Sequence, residues 1–453
     1  MEGVTWALAN FAVNLKSEDL DPGLVLNFKK YLLDGIGCGL YGSCLPWCQI
    51  VNQFIKEQRG RRESTLWLQG FKGPSTNVSL GLGVMIHSFD FDDYHNAKVH
   101  PGAVVIPAAL ATGERLGVDG KSVLTAMVAG YETMIRVSLA TGPNSSRLKG
   151  WHLTGTTGTF GAAAAAGNLL GLNPDEMASA LGMAGTQSAG LWAFTADGAM
   201  SKRFHPGRSS QSGVIAALLA KKGFKGPTQI LEAEDGGFCK ATSDDVDFSR
   251  ATQGLRQRFL SGDVNIKPYA CCASSHSAID AMRQLVREHK FAASEVERIL
   301  VKTAKGVQVQ CGFEYKPLSV VQAQMSLQYI VAVALLEGKA LLEQFEEEKI
   351  RDSKILDLAK RVGVVLDEDI EKVYPERYAN KVEVILKNGK RFETRVDFAK
   401  GSSENPMSFG QVTEKFESLA SKVVAKDRID TIVEYVERIE KVDDIRKFTR
   451  LLG

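Results

Sequence analysis

Apolar residues recur at helical spacing along most of the first 260 positions. Val4, Leu8, Phe11, Ala12 and Leu15 mark one face of a helix at the very start of the sequence. Residues 25–41 keep the same period and become Gly-rich at Gly35, Gly37 and Gly39, which lets neighbouring helices approach closely. Residues 107–116 and 121–141 predict two more helices. The second carries Ser122, Ala126, Gly130 and Thr133 along one stripe. A further helix starts at Asn173 as N-cap, with Pro174 in its first position and Glu176 in its third. Before it, Gly155, Gly158 and Gly161 lead into five alanines. No strand precedes this run and its spacing is not GxGxxG, so it reads as a buried, tightly packed helix rather than a dinucleotide loop.

The pattern changes near residue 265. Residues 297–303 alternate like a strand. Residues 381–387, then Asn388-Gly389, then 390–396 predict a hairpin with a type I′ turn. Helices are expected between these strands at 274–289, 326–336 and 354–362, and again at 412–419 and 429–439. The expected fold is mainly α. A large all-helical domain (1–264) receives an inserted, smaller α+β lid domain (265–402). C-terminal helices (403–453) then rejoin the helical domain.

Composition narrows the function. The 453 residues carry 55 basic and 53 acidic side chains, a net charge of +2. That gives no general electrostatic case for nucleic acid or a membrane surface, so an anionic ligand must be held by a local cluster. No apolar run is long enough for a bilayer, and the first residues lack the basic and apolar regions of a targeting segment. Seven cysteines, an odd number in a long chain, suggest free thiols and a cytoplasmic location. Cys44 and Cys48 have no partner pair at zinc-finger spacing.

The densest chemistry lies in residues 87–102, His-Ser-Phe-Asp-Phe-Asp-Asp-Tyr-His-Asn-Ala-Lys-Val-His-Pro-Gly. Three histidines and three aspartates stand between apolar flanks, where charge is costly to bury. The other clusters are Trp151-His152, the run from Ser201 to Arg208 with Lys202, Arg203 and His205, and the run from Lys267 to His276. Lys202, Arg203, Lys267 and His276 are the types that bind carboxylates by charge-assisted hydrogen bonds. Asp and His suit proton transfer near neutral pH. Together the clusters point to a site for a small polycarboxylate. Two other chemistries compete with this reading. A divalent ion could use His95 and His100 with Asp90, Asp92 and Asp93, but the spacing matches no metal motif, so no metal or other cofactor is expected. Cys271 or Cys272 with His276 could form a nucleophile, but nothing else marks an acyl-transfer site.

These residues carry a family likeness. Asp90-Phe91-Asp92-Asp93-x-His95 with His100-Pro101-Gly102 resembles a motif of the MmgE/PrpD family. That family includes 2-methylcitrate dehydratase, cis-aconitate decarboxylase and iminodisuccinate epimerase. The likeness continues through His152 and Gly155 to Ala165, Lys202, Lys267-Pro268-Tyr269-x-Cys271-Cys272, His276 and Gln328-Tyr329, and so spans nearly the whole chain. It implies a cofactor-free homodimer whose active site lies between a helical domain and a lid. Carried over by position, the site residues are Asp90, Tyr94, His100, His152, Lys202, Lys267 and Tyr329. Tyr94 stands where the motif usually has Thr, and Ala270 replaces a common Pro.

The leading expectation is a cofactor-independent lyase for a di- or tricarboxylate, with 2-methylcitrate-type dehydration first. Decarboxylation of cis-aconitate, epimerisation of a dicarboxylate, and a tricarboxylate-binding protein without turnover are the alternatives. His100 and His152 are expected to move the proton with Asp90 orienting an imidazole. Tyr94 and Tyr329 are competing acids, their phenols lowered by nearby lysines, and His95 is a weaker candidate.

Overall fold

The computed structural model describes residues 3–196 and 198–453. The chain forms two compact units. Residues Met1–Ile266 and Ser408–Gly453 make one, and Lys267–Met407 make the other.

The first unit is helical. Its main elements are α1 (Val4–Asn14), α2 (Pro22–Gly42), α3 (Pro46–Gln58), α4 (Ser75–Ile86), α5 (Gly102–Leu116), α6 (Gly120–Ala140), α7 (Pro143–Leu148), α8 (Leu153–Leu169), α9 (Pro174–Thr186) and α10 (Ser201–Ala220). A short hairpin, β1 (Ser64–Leu66) with β2 (Phe71–Gly73), interrupts them and was not foreseen. Helices α5, α6, α9 and α10 surround α8, which is buried over nearly its whole length, and α4 packs on α5 and α10. Glycine makes this packing possible. A Cβ on Gly83 of α4 would stand 2.6 Å from Gly207 Cα of α10, and one on Gly161 of α8 would stand 2.8 Å from the Gly130 carbonyl of α6.

The cap at Asn173 forms as the sequence predicts: its side chain accepts from Glu176 N at 2.9 Å, and Glu176 accepts from Asn173 N at 2.9 Å. The helix expected to begin at Pro107 instead begins at Gly102, with the proline inside it. Pro107 has no N–H for the Ala103 carbonyl. That carbonyl instead faces Gly83, where the missing side chain leaves it room.

Helix α6 is the one described helix long and apolar enough to cross a membrane, and 94% of its apolar window is buried inside the protein. The segment after Ser408 belongs to this unit. Lys415, in the helix Phe409–Ala420, pairs with Asp34 of α2 at 2.5 Å, and both side chains are buried.

The second unit holds a four-stranded sheet in the order β4-β3-β5-β6, made of β3 (Val296–Thr303), β4 (Val362–Leu366), β5 (Asn380–Leu386) and β6 (Arg391–Val396). Strand β4 runs parallel to β3 and was missed; the helix expected over 354–362 ends at Ala359. The hairpin of β5 and β6 forms, but its turn is not type I′. Gly389 has φ +83 while Asn388 keeps a negative φ, and Gly389 N donates to the Leu386 carbonyl at 2.8 Å. This is a three-residue loop: a type I turn followed by a left-handed glycine.

Candidate active site

Residues 87–101 form an irregular loop between α4 and α5, and almost every polar group in it is tied down. His87 closes α4 as its C-cap. Arg203 Nε donates to the Ser88 carbonyl at 2.8 Å, while its guanidinium lies 4.1 Å above the Trp47 ring. Lys415 Nζ donates to the Phe91 carbonyl at 2.7 Å. Tyr94 pairs with Asn265 through both backbone groups, at 2.9 and 2.8 Å. Ser138 Oγ donates to the Ala97 carbonyl at 2.7 Å, and His100 N donates to Thr154 Oγ1 at 3.1 Å. A loop held this way presents its side chains in fixed positions.

Asp92 is the centre of the site. Its side chain is fully buried, with Oδ2 2.8 Å from His87 Nδ1 and 3.4 Å from His100 Nδ1. His100 Nδ1 also donates to the Asp93 carbonyl at 2.8 Å. Burial alone would raise the Asp92 carboxyl; the two imidazoles more than offset it and hold the group well below the usual carboxylate range. Burial lowers His87 to about 4 despite its carboxylate partner. Near neutral pH Asp92 is therefore a carboxylate that accepts from the neutral imidazole of His87. Asp93 behaves in the opposite way. Burial, with Asp92 and Asp34 nearby, pushes it up to about 8, while Gly102 N at 2.9 Å and Tyr131 Oη at 2.8 Å donate to its oxygens.

The imidazoles continue beyond Asp92. The His100 and His87 ring centroids are 4.7 Å apart, those of His87 and His152 are 6.1 Å apart, and those of His152 and His205 are 5.2 Å apart. His152 sits at the N-cap of α8, and its backbone N donates to the Gly190 carbonyl at 3.0 Å. Burial, then the neighbouring His87 and Lys202, holds His152 well below the ordinary histidine value. Lys202, in the first turn of α10, pairs with Asp90 at 3.0 Å, with both side chains partly exposed. Asp90 has φ +56, a left-handed conformation that Asp tolerates better than most residues.

The structure thus brings His100, His152, Asp90, Lys202 and Arg203 into one neighbourhood. The carboxylate that orients an imidazole is Asp92, not Asp90; Asp90 is the partner of Lys202. His95 is held by its own loop, its backbone N donating to the Val99 carbonyl at 2.9 Å. Its Nδ1 accepts from Ala97 N at 3.0 Å, and burial lowers it to about 4. Sequence reasoning placed His87 and His205 in its clusters but gave neither a role. The only available signal for His87 was a histidine five residues before an aspartate across a helix end.

Lys267, His276 and Tyr329 belong to the second unit. Lys267 and His276 are buried, and His276 Nε2 donates to the Cys271 carbonyl at 3.2 Å. Tyr329 is wholly buried and its hydroxyl donates to the Gln344 carbonyl. Burial raises this phenol, so the expected lowering by nearby lysines does not occur. All seven cysteines are free thiols.

One group of described residues has metal-ligand geometry: single donor atoms of His87, Asp92 and His100 lie within 4.8 Å of one another. It is not the set drawn from the sequence, since His87 replaces His95. A cation bound through His100 Nδ1 would have to displace the proton given to the Asp93 carbonyl.

Comparison with known proteins decides the family. The MmgE/PrpD N-terminal domain matches residues 6–251, and the MmgE/PrpD C-terminal domain matches residues 269–441. The chain belongs to the MmgE/PrpD family. Cis-aconitate decarboxylase of Aspergillus terreus is 29% identical over 473 aligned residues, covering 100% of this chain and 96% of its own length. Human cis-aconitate decarboxylase is 28% identical, with 100% and 95% covered. The 2-methylcitrate dehydratase of Escherichia coli is 25% identical, with 80% and 78% covered. Both kinds of relative are lyases, and this MmgE/PrpD protein is an enzyme of that type. The leading sequence expectation of 2-methylcitrate dehydration is not specifically favoured; the decarboxylase alternative has the better support.

Proposed function

We propose that this MmgE/PrpD protein decarboxylates cis-aconitate or a close unsaturated tricarboxylate. The supporting observation is the extent of the likeness. Cis-aconitate decarboxylases align with the whole chain at 28–29% identity, whereas 2-methylcitrate dehydratases align with 80% of it.

The geometry suits that chemistry. The carboxylate on the saturated arm leaves as CO2. The electron pair of the broken C–C bond shifts through the double bond and becomes the dienolate of the far carboxylate. That carbon then takes a proton from an imidazole. Lys202 supplies positive charge where the dienolate develops, and Asp92 holds His87 and His100 in position. The reaction consumes one proton per turnover.

Purified protein incubated with cis-aconitate and, separately, with 2-methylcitrate in D2O is followed by proton NMR. Loss of CO2 with one deuterium in the product is expected from cis-aconitate. Loss of water from 2-methylcitrate, with cis-aconitate untouched, would replace this reading by dehydration. Thermal protection without turnover of either would make the protein a tricarboxylate binder.

A further inference from the structure

We propose that His205 returns a proton from solvent to His152 in each turnover. The inference rests on the decarboxylase reading, because decarboxylation consumes a proton and dehydration does not.

The two Nδ1 atoms lie 3.0 Å apart. A hydrogen bond between two imidazole nitrogens needs one N–H and one lone pair, so the rings carry their Nδ1 protons differently. Such a pair can hand a proton from one ring to the other. The two ends differ in access: His152 is 2% exposed, while His205, on the second turn of α10, is only half-buried. His205 is therefore the solvent-facing member.

The backbone is cut to fit this contact. Gly190 has φ +130, and a Cβ there would stand 3.2 Å from His205 Nδ1. A Cβ on Gly155 would stand 2.6 Å from the Ala189 carbonyl and 3.2 Å from His205 Cβ. The Gly190 carbonyl also receives the backbone N–H of His152, so one short segment places both rings. Phe194 packs on both of them, 5.6 Å from His152 and 6.0 Å from His205.

The proton balance closes. His152 gives the proton on its other nitrogen to the carbanionic carbon. His205 passes its Nδ1 proton to His152 Nδ1 and takes one from water at Nε2. The sum is R–CO2⁻ + H⁺ → R–H + CO2. After product leaves, water entering the site protonates His152 Nε2, His152 returns its Nδ1 proton to His205 Nδ1, and His205 Nε2 gives one proton back to solvent, which restores the starting tautomers.

His205→Ala should turn over cis-aconitate more slowly by about 10²-fold, the low end for an assisted proton transfer, with KM little changed. Added imidazole at fixed pH should restore much of the loss in His205→Ala and none in His152→Asn. A raised KM with intact kcat, or a folded His205→Ala protein indifferent to imidazole, would overturn the proposal. If His205→Ala does not fold, His205→Gln takes its place, read by its solvent isotope effect, which should exceed that of the wild type; an equal effect overturns the relay. Long-range 15N–1H NMR of the resting wild type gives a reading that needs no substrate: one ring protonated at Nδ1 and the other at Nε2. Identical tautomers would sink the relay even if decarboxylation holds, whereas absent decarboxylation with mixed tautomers would sink only the reaction assigned above.

Discussion

The Nδ1 of His100 lies 2.8 Å from the Asp93 carbonyl, and a carbonyl can only accept. Nδ1 of His100 therefore carries a proton, and Nε2 is the nitrogen left for exchange with a substrate. This geometry leaves Nε2 as the atom through which His100 would hand a proton to the substrate carbon. His100→Asn and His152→Asn should each lower turnover by roughly 10²–10⁴-fold with folding retained. Tyr329→Phe should instead lower stability by about 1 kcal/mol, since its hydroxyl bonds to a buried carbonyl. Steady-state kinetics beside thermal melts separate the two effects. If Tyr94→Phe abolishes turnover while both histidine variants stay near wild type, the imidazole assignment is wrong.

Lys202 should carry substrate affinity. Lys202→Met removes one charged hydrogen-bond donor and should weaken binding of a tricarboxylate by about 1.5–3 kcal/mol. Calorimetric titration with citrate as probe checks this, and an unchanged Kd would move the anion site elsewhere.

Asp93 and His87 make stability depend on pH in opposite directions. Asp93 sits at about 8 when folded and near 3.9 when unfolded. Its contribution is present below the unfolded value and is lost as pH rises through about 8. His87, at about 4 when folded and roughly 6.5 when unfolded, contributes stability that is lost as pH falls through that window. Melting temperatures from pH 6 to 8.5 should fall less for Asp93→Asn than for wild type, because the amide does not ionise and its oxygen still accepts from Gly102 N–H. Parallel curves would show that Asp93 is already ionised.

The Lys415–Asp34 pair should be costly to break and cheap to replace. Lys415→Met removes the buried cation that pairs with Asp34 and should destabilise the protein by about 3–5 kcal/mol. Lys415→Met with Asp34→Leu should recover much of that loss in a denaturant titration. An additive double variant would show that the two charges do not interact.

Much of this fold was legible because helical periodicity and capping are local. Asn173, Pro174 and Glu176 placed a helix start without any tertiary information. Strand β4 was hidden because a short apolar run such as 362–366 has no period that separates strand from helix, and its partner lies some sixty residues earlier. The turn at Gly389 depended on whether Asn388 also adopts positive φ, which the dipeptide alone does not fix. In the site, the motif marked the right loop but not the right carboxylate. Asp90 and Asp92 are alike in sequence; only the fold turns one toward Lys202 and the other toward two imidazoles. His205 was visible as part of a basic cluster, yet its contact with His152 spans 53 positions.

Because Lys415 grips both Asp34 and the Phe91 carbonyl, the loop from His87 to His100 waits on a residue 324 positions downstream of Phe91. During synthesis the helical unit is emitted first, then all of Lys267–Met407, and only then the helix that closes the loop. The nascent chain therefore carries an unfinished site through most of its time on the ribosome. A transcript that ends early, even one that encodes every histidine, yields a protein that lacks the Lys415 bonds to Asp34 and to the Phe91 carbonyl.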